Sequence, residues 1–218
     1  MEVKRKEAGG SEGKIAYTYI QNGSDRVCFM FSGRGYSYDR PLFYYTTMKL
    51  IEDTWDIVQV HYDYDSSFYE QPWERIAKQM EREVSSVIAE VFKQKNYDHF
   101  SFLGKSIGTL PIVEGLIHKY PEAAFVLLTP LLKYDFYQEP LTQTSAECLV
   151  FAGDQDHHYI KRVVKALENR PNIQVEVLEN ANHSLDVSNM DTAGSIDVMK
   201  KVVASIGACM KGERRHGS

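Results

Sequence analysis

The chain has 218 residues, 43% hydrophobic and 25% charged, with 25 Lys and Arg against 30 Asp and Glu. That length suits one domain, and ordinary globular usage excludes wholesale disorder, collagen-like repeats and disulfide scaffolds. A net charge of −5 offers no electrostatic footprint for a phosphate backbone, which argues against nucleic-acid binding.

Basic residues gather only around residues 4–6 and 211–215, with acids mixed into both groups. Cys28, Cys148 and Cys209 make an odd number, without a CxxC pair or a metal-like Cys/His spacing. The opening MEVKRKEAGG lacks the apolar core of a secretory leader, and the most apolar run, residues 123–132, is too short to span a bilayer. The expectation is a cytoplasmic protein with no membrane contact, one domain over residues 1–218 and a short polar tail from about 211. Tyrosine is unevenly spread: seven of the 14 fall between Tyr36 and Tyr69.

In chain order, residues 15–20 carry a strand pattern and run into Asn22-Gly23, a strong turn dipeptide. Residues 27–31 (VCFMF) form an apolar run of strand length, as in a strand buried on both faces of a parallel sheet. A helix is expected over about 41–54, with Pro41 in its first turn, then a strand at 57–60. Residues 73–92 give the clearest helix, with Trp73, Ile76, Ala77, Met80, Val84, Val87, Ile88 and Val91 on one face. A strand at 100–103 precedes a helix at 107–118, and further strands follow at 125–128, 148–151 and 173–177. Helices fill about 159–168 and 192–209. This alternation predicts an α/β fold: a mostly parallel, twisted sheet of about seven or eight strands, with helices on both faces. In such sheets the binding crevice lies beyond the carboxyl ends of the strands.

Directly after the strand at 100–103 comes Gly104-Lys105-Ser106-Ile107-Gly108, a G-x-S-x-G match followed by a helix. A strained strand-to-helix turn exposes the serine hydroxyl, and small flanking residues let the turn close. The segment also spells the GKS ending of a phosphate-binding loop. That motif requires a glycine five residues before Gly104, where His99 stands, so the nucleotide reading is rejected. A serine hydroxyl becomes nucleophilic only when a base takes its proton and an acid orients that base. After the strand at 148–151 come Asp154 and Asp156; after the strand at 173–177 comes His183. All three parts sit where the crevice rule wants them.

These segments, GKSIG at 104–108, AGDQDH at 152–157 and NANHS at 180–184, make the chain resemble the α/β-hydrolase superfamily from about residue 14 to 208. The resemblance implies Ser106 as nucleophile, His183 as general base and Asp156 as acid, with Asp154 the alternative. It implies an oxyanion hole from the backbone N–H of Ile107 and of Arg34, with Gly35 as alternative to Arg34. Ser32 stands where many relatives have histidine before the first glycine of that loop. Only about 17 residues separate the strands at 125–128 and 148–151, so the large helical lid of many relatives has no room, as in small esterases and dienelactone-hydrolase-like members. The implied activity is cleavage of a carboxylic ester or thioester through an acyl-enzyme, without cofactor. A non-catalytic ligand-binding protein, a peptidase or an acyltransferase on the same fold are the alternatives.

Tyr36, Tyr62, Tyr134 and Tyr137 all follow strand ends and are candidates to wall an acyl pocket; the competing expectation is that they pack helices onto the sheet. The Arg34 guanidinium is expected in solvent. His157 and His158 follow the acid directly, but no further ligand accompanies them in the sequence, so no metal is expected. His61 and Asp63 line the crevice or a solvated loop, while His99 and His118 read as surface residues.

Overall fold

In a computed structural model, which describes residues 1–10 and 13–212, eight strands form one sheet in the order β1-β2-β4-β3-β5-β6-β7-β8. They are β1 (Glu2–Gly10), β2 (Gly13–Gln21), β3 (Arg26–Phe31), β4 (Asp56–His61), β5 (His99–Lys105), β6 (Ala124–Leu128), β7 (Glu147–Gly153) and β8 (Ile173–Leu178). β1 and β2 pair antiparallel at one side, β2 joins β4 antiparallel, and the remaining pairings are parallel. The inner strands β3, β6 and β7 are buried on both faces, which is why they read as continuous apolar runs.

Helices cover both faces. The amphipathic α2 (Trp73–Gln94) buries Ile76, Met80, Val84, Val87 and Val91 on one side, beside α4 (Asp135–Gln143) and α5 (Lys161–Glu168). On the other side α1 (Pro41–Glu52) and α6 (Thr192–Met210) pack Leu42, Phe43, Leu50, Val202 and Ile206 against β3, β6 and β7. The expected fold class is therefore observed. The polar tail after residue 212 lies outside the described residues, and among these no helix is long and apolar enough to cross a membrane.

Three local features differ from the sequence expectation. β1 was not expected, because its side chains are mostly exposed and carry no apolar alternation. Its charges suit an edge strand that must not pair with another chain. The segment between β6 and β7, to which the sequence reading assigns no element, holds the helix α4. The helix expected at 107–118 begins as a 3-10 turn (Ser106–Thr109), continues as a π turn (Ile112–Leu116) and ends in the short α3 (Ile117–Lys119). Pro111 has no N–H to return to the first turn, which breaks regular α geometry there.

A buried carboxylate ties the turn after β2 to the end of α2. Asp56, fully buried at the start of β4, accepts hydrogen bonds from the backbone N–H of Asn22 (2.6 Å) and Ser24 (3.2 Å). It also accepts from Lys95 Nζ (2.9 Å) and the Tyr97 hydroxyl (2.6 Å). Burial alone would raise its pKa, but these donors outweigh that and hold it below the usual carboxylate range. Asp56→Asn should therefore lower stability at neutral pH by about 3 kcal/mol, because Lys95 loses its anionic partner and keeps only the Ser24 carbonyl. A depressed carboxylate contributes stability above its unfolded pKa of about 3.9 and loses it as pH falls through the folded value. The gap between wild type and Asp56→Asn should accordingly narrow as urea midpoints are followed from pH 6 down to about pH 3.

Candidate active site

β3 and β5 are neighbours, with Phe31 in register with Gly104, so the loops leaving them emerge side by side. At the end of β5 the chain passes through Ser106 at φ 53°, a left-handed conformation that a serine adopts only under constraint. The constraint is close backbone packing. A Cβ on Gly104 would stand 2.4 Å from the Gly108 carbonyl oxygen, and one on Gly108 would stand 2.1 Å from that of Phe31. Both glycines of the motif are thus required sterically. Gly33, on the neighbouring loop, is packed close enough that a Cβ there would lie 3.4 Å from Ser106 Cβ.

The acid and the histidine come from the loops after β7 and β8. β7 and β8 end in register, Gly153 opposite Leu178. A Cβ on Gly153 would lie 2.1 Å from the Ala181 carbonyl oxygen, so the absence of a side chain lets the histidine loop fold over β7. Asp156 is buried, with Oδ1 accepting from the backbone N–H of His158 at 2.9 Å. Its Oδ2 lies 2.7 Å from His183 Nδ1, and His183 Nε2 lies 2.8 Å from Ser106 Oγ. Burial pushes the Asp156 pKa up, but the bonds from His183 and the His158 amide outweigh it and hold the carboxyl below its ordinary range. Asp154 instead accepts from Gln155 Nε2 at 3.2 Å, so the two acids separate and only Asp156 reaches the imidazole.

One residue of this site escaped the sequence reading. Lys105, between the glycine and the serine of the motif, is only 1% exposed. Its ammonium donates to Thr129 Oγ1 (2.9 Å) and to the His183 backbone carbonyl (2.7 Å), and lies 4.7 Å from the centre of the Tyr36 ring. It therefore joins the ends of β5 and β6 to the loop after β8. Burial pulls its pKa down to about 8, with Asp156 and Asp186 opposing the shift. A lysine at the end of an otherwise apolar strand was the only signal in the sequence.

Around the loop after β3, Gly35 turns at φ 68° and Arg34 is exposed, its guanidinium stacked 4.2 Å from the centre of the Tyr69 ring. Tyr38 is structural: its hydroxyl lies 2.7 Å from the Met30 carbonyl and 2.6 Å from that of Val60, and accepts from the Ser32 N–H at 3.1 Å. Of the four tyrosines expected at a pocket, Tyr36 lines a cleft of about 450 Å³ with Gly35, Leu42, Ser184, Leu185 and Ile196. Tyr62 lines a second cleft of about 410 Å³ with Gly33 and His61. Tyr134 packs against Trp73 and His158, and Tyr137 is fully buried, with no surface left to touch a substrate.

The other histidines divide. His61 is half-buried, 2.7 Å from Thr18 Oγ1, and burial lowers its pKa; Asp63 is exposed, as are His99 and His118. His157 and His158 lie beside His183, a grouping that the sequence reading did not anticipate. Burial, with His157 next, lowers the His158 pKa to about 4.

A left-handed serine after a central parallel strand, served by a histidine and an acid from later loops, is the arrangement of α/β hydrolases. A family model described as "Alpha/beta hydrolase domain" matches residues 25–211, and the chain belongs to that family. Solved structures share its fold at low identity. An esterase of Pyrococcus furiosus is 15% identical, with a TM-score of 0.73 over 97% of this chain and 92% of that one. A Xanthomonas campestris serine hydrolase without a lid is 13% identical, with a TM-score of 0.69 over 96% and 94%. The esterase domain of a Rhodothermus marinus protein is 10% identical, with a TM-score of 0.65 over 95% and 98%. No curated protein matches.

The Lys105 charge should be visible in stability. Its folded pKa is depressed, so the unfolded chain binds the extra proton between about pH 8 and pH 10.4. Stability then rises with pH in that window, by about 1–3 kcal/mol in total, and the cost of burying the charge is fully present below it. Lys105→Met removes this dependence. Urea unfolding of both proteins from pH 7 to 10 should show wild type gaining on the variant.

Proposed function

We propose that this chain is a serine hydrolase that cleaves a carboxylic ester or thioester. The observation that carries the reading is the continuous chain Ser106 Oγ, His183 and Asp156 Oδ2, with links of 2.8 and 2.7 Å, on a serine held in a strained turn. The ionised Asp156 only accepts, so His183 carries its proton on Nδ1 and leaves Nε2 free to take the serine proton. Ser106 attacks the carbonyl, His183 removes its proton, and Asp156 stabilises the imidazolium that forms. The tetrahedral oxyanion is received by the backbone N–H of Ile107 and that of Arg34 or Gly35. Each such donor is worth roughly 3–4 kcal/mol of barrier lowering in comparable sites. The leaving group takes the proton from His183. Water activated by the same imidazole then releases the acid from Ser106.

The cleft of about 450 Å³ between Tyr36 and Ile196 adjoins Ser184 and Gly35, so it opens beside both the base and the oxyanion loop. It is our candidate for the acyl or leaving-group site, and its openness suits varied ester substituents. We also read residues 1–218 as one catalytic domain. The experiment is labelling with a fluorophosphonate followed by peptide mass spectrometry. An adduct on Ser106 that is lost in Ser106→Ala and His183→Ala is expected, with turnover of p-nitrophenyl acetate falling by about 10³-fold or more in either variant. A folded protein that neither labels nor turns over short esters would refute the reading.

A further inference from the structure

Three imidazoles meet beside Ser106. The ring centres of His157 and His158 are 4.0 Å apart, and each lies 5.2 Å from that of His183. One nitrogen from each ring lies within 4.8 Å of those of the other two. Ester hydrolysis uses only the third of these rings. His158 is only 7% exposed, and its Nδ1 is buried with no hydrogen-bond partner among the described residues. A buried polar nitrogen without a partner costs free energy, so its placement calls for an explanation. His157 is exposed, its side chain 65% accessible to solvent.

Metal geometry supplies one. Imidazoles that share a tetrahedral zinc, with Zn–N bonds of about 2.0–2.1 Å, hold their ring centres roughly 5 Å apart. Two of the three spacings here already have that value, and the third opens when the exposed His157 ring swings outward. Asp156 adds what metal-binding histidines usually have, a carboxylate behind the ligands: Oδ2 lies 2.7 Å from His183 Nδ1 and Oδ1 lies 3.5 Å from His157 Nδ1. A set of neutral imidazoles suits zinc and its neighbours rather than calcium or magnesium, which take oxygen ligands.

We propose that His157, His158 and His183 form a binding site for a divalent cation of the zinc type, which reversibly silences the hydrolytic centre. Three imidazole lone pairs and a water complete a four-coordinate ion. If the ion takes His183 Nε2, it occupies the lone pair that accepts the Ser106 proton. If it takes Nδ1, the ring proton moves to Nε2 and the Asp156 bond is lost. Either way the base is withdrawn. The silencing rests on the proposed role of His183, whereas the binding does not.

The test uses the full chain after treatment with EDTA. Co²⁺, as a spectroscopic probe, should bind one to one with the visible absorption of tetrahedral cobalt, and Zn²⁺ should displace it. Zn²⁺ should prevent fluorophosphonate labelling of Ser106, and EDTA should restore it. His157→Ala should raise the half-inhibiting Zn²⁺ concentration by roughly tenfold or more, the usual effect of weakening a metal site, with metal-free turnover unchanged. His158→Gln, checked for native circular dichroism, should weaken Co²⁺ binding likewise. Absence of stoichiometric Co²⁺ binding, or binding unchanged in His157→Ala, overturns the site. Cobalt binding with no turnover in any ester assay leaves the metal site standing and removes the hydrolase reading, while turnover without cobalt binding does the reverse.

Discussion

The structure depends on one close approach of backbones, where the turn after β5 lies against the end of β3. Gly108 sits so near the Phe31 carbonyl that a methyl group has no room, and Gly104 faces Gly108 in the same way. This packing holds Ser106 at positive φ, at a cost of order 1–3 kcal/mol that the surrounding core offsets. The consequence is directional. A relaxed strand-to-helix passage would lay the hydroxyl along the sheet edge, whereas this one lifts it toward the loops of β7 and β8. The same crowding explains the tight 3-10 start of the following helical segment, where the Thr109 hydroxyl also bonds the Ser106 carbonyl at 2.5 Å.

The second constraint is distance across the sheet. β5 and β8 are separated by β6 and β7, and strands spaced about 4.8 Å apart put their ends well beyond side-chain contact. The loop after β8 must fold back over two strands to bring an imidazole to the serine. Gly153 removes the obstacle on the way, and Lys105 secures the far end. The fold accepts a buried charge there, whose depressed pKa records the desolvation, in return for a fixed histidine position.

What the sequence made legible follows from how local each demand is. GKSIG could be read because its residues lie within five positions of one another, and Asp156 and His183 because each follows a segment of strand length. The parallel strands were visible for the same reason. β1 was not, since an exposed edge strand carries no apolar signature. Nor was the part played by Lys105, whose partners Thr129 and His183 are 24 and 78 residues away. The grouping of His157 and His158 with His183 was likewise hidden by the separation in the chain. The tyrosine cluster divides between readings: Tyr38 bolts three backbone groups together and Tyr64 stacks on Phe68, while Tyr36 alone combines cleft exposure with contact to Lys105.

The Lys105 contact has an evolutionary corollary. The ammonium grips the histidine loop by a main-chain carbonyl, a group that every amino acid supplies. An exposed neighbour such as Ser184 can therefore be exchanged without removing that anchor, whereas the Asp186 charge itself supports the buried ammonium. Ser184 also lines the cleft shared by Tyr36 and Ile196, so the anchor leaves that part of its rim open to change while the His183 loop keeps its place.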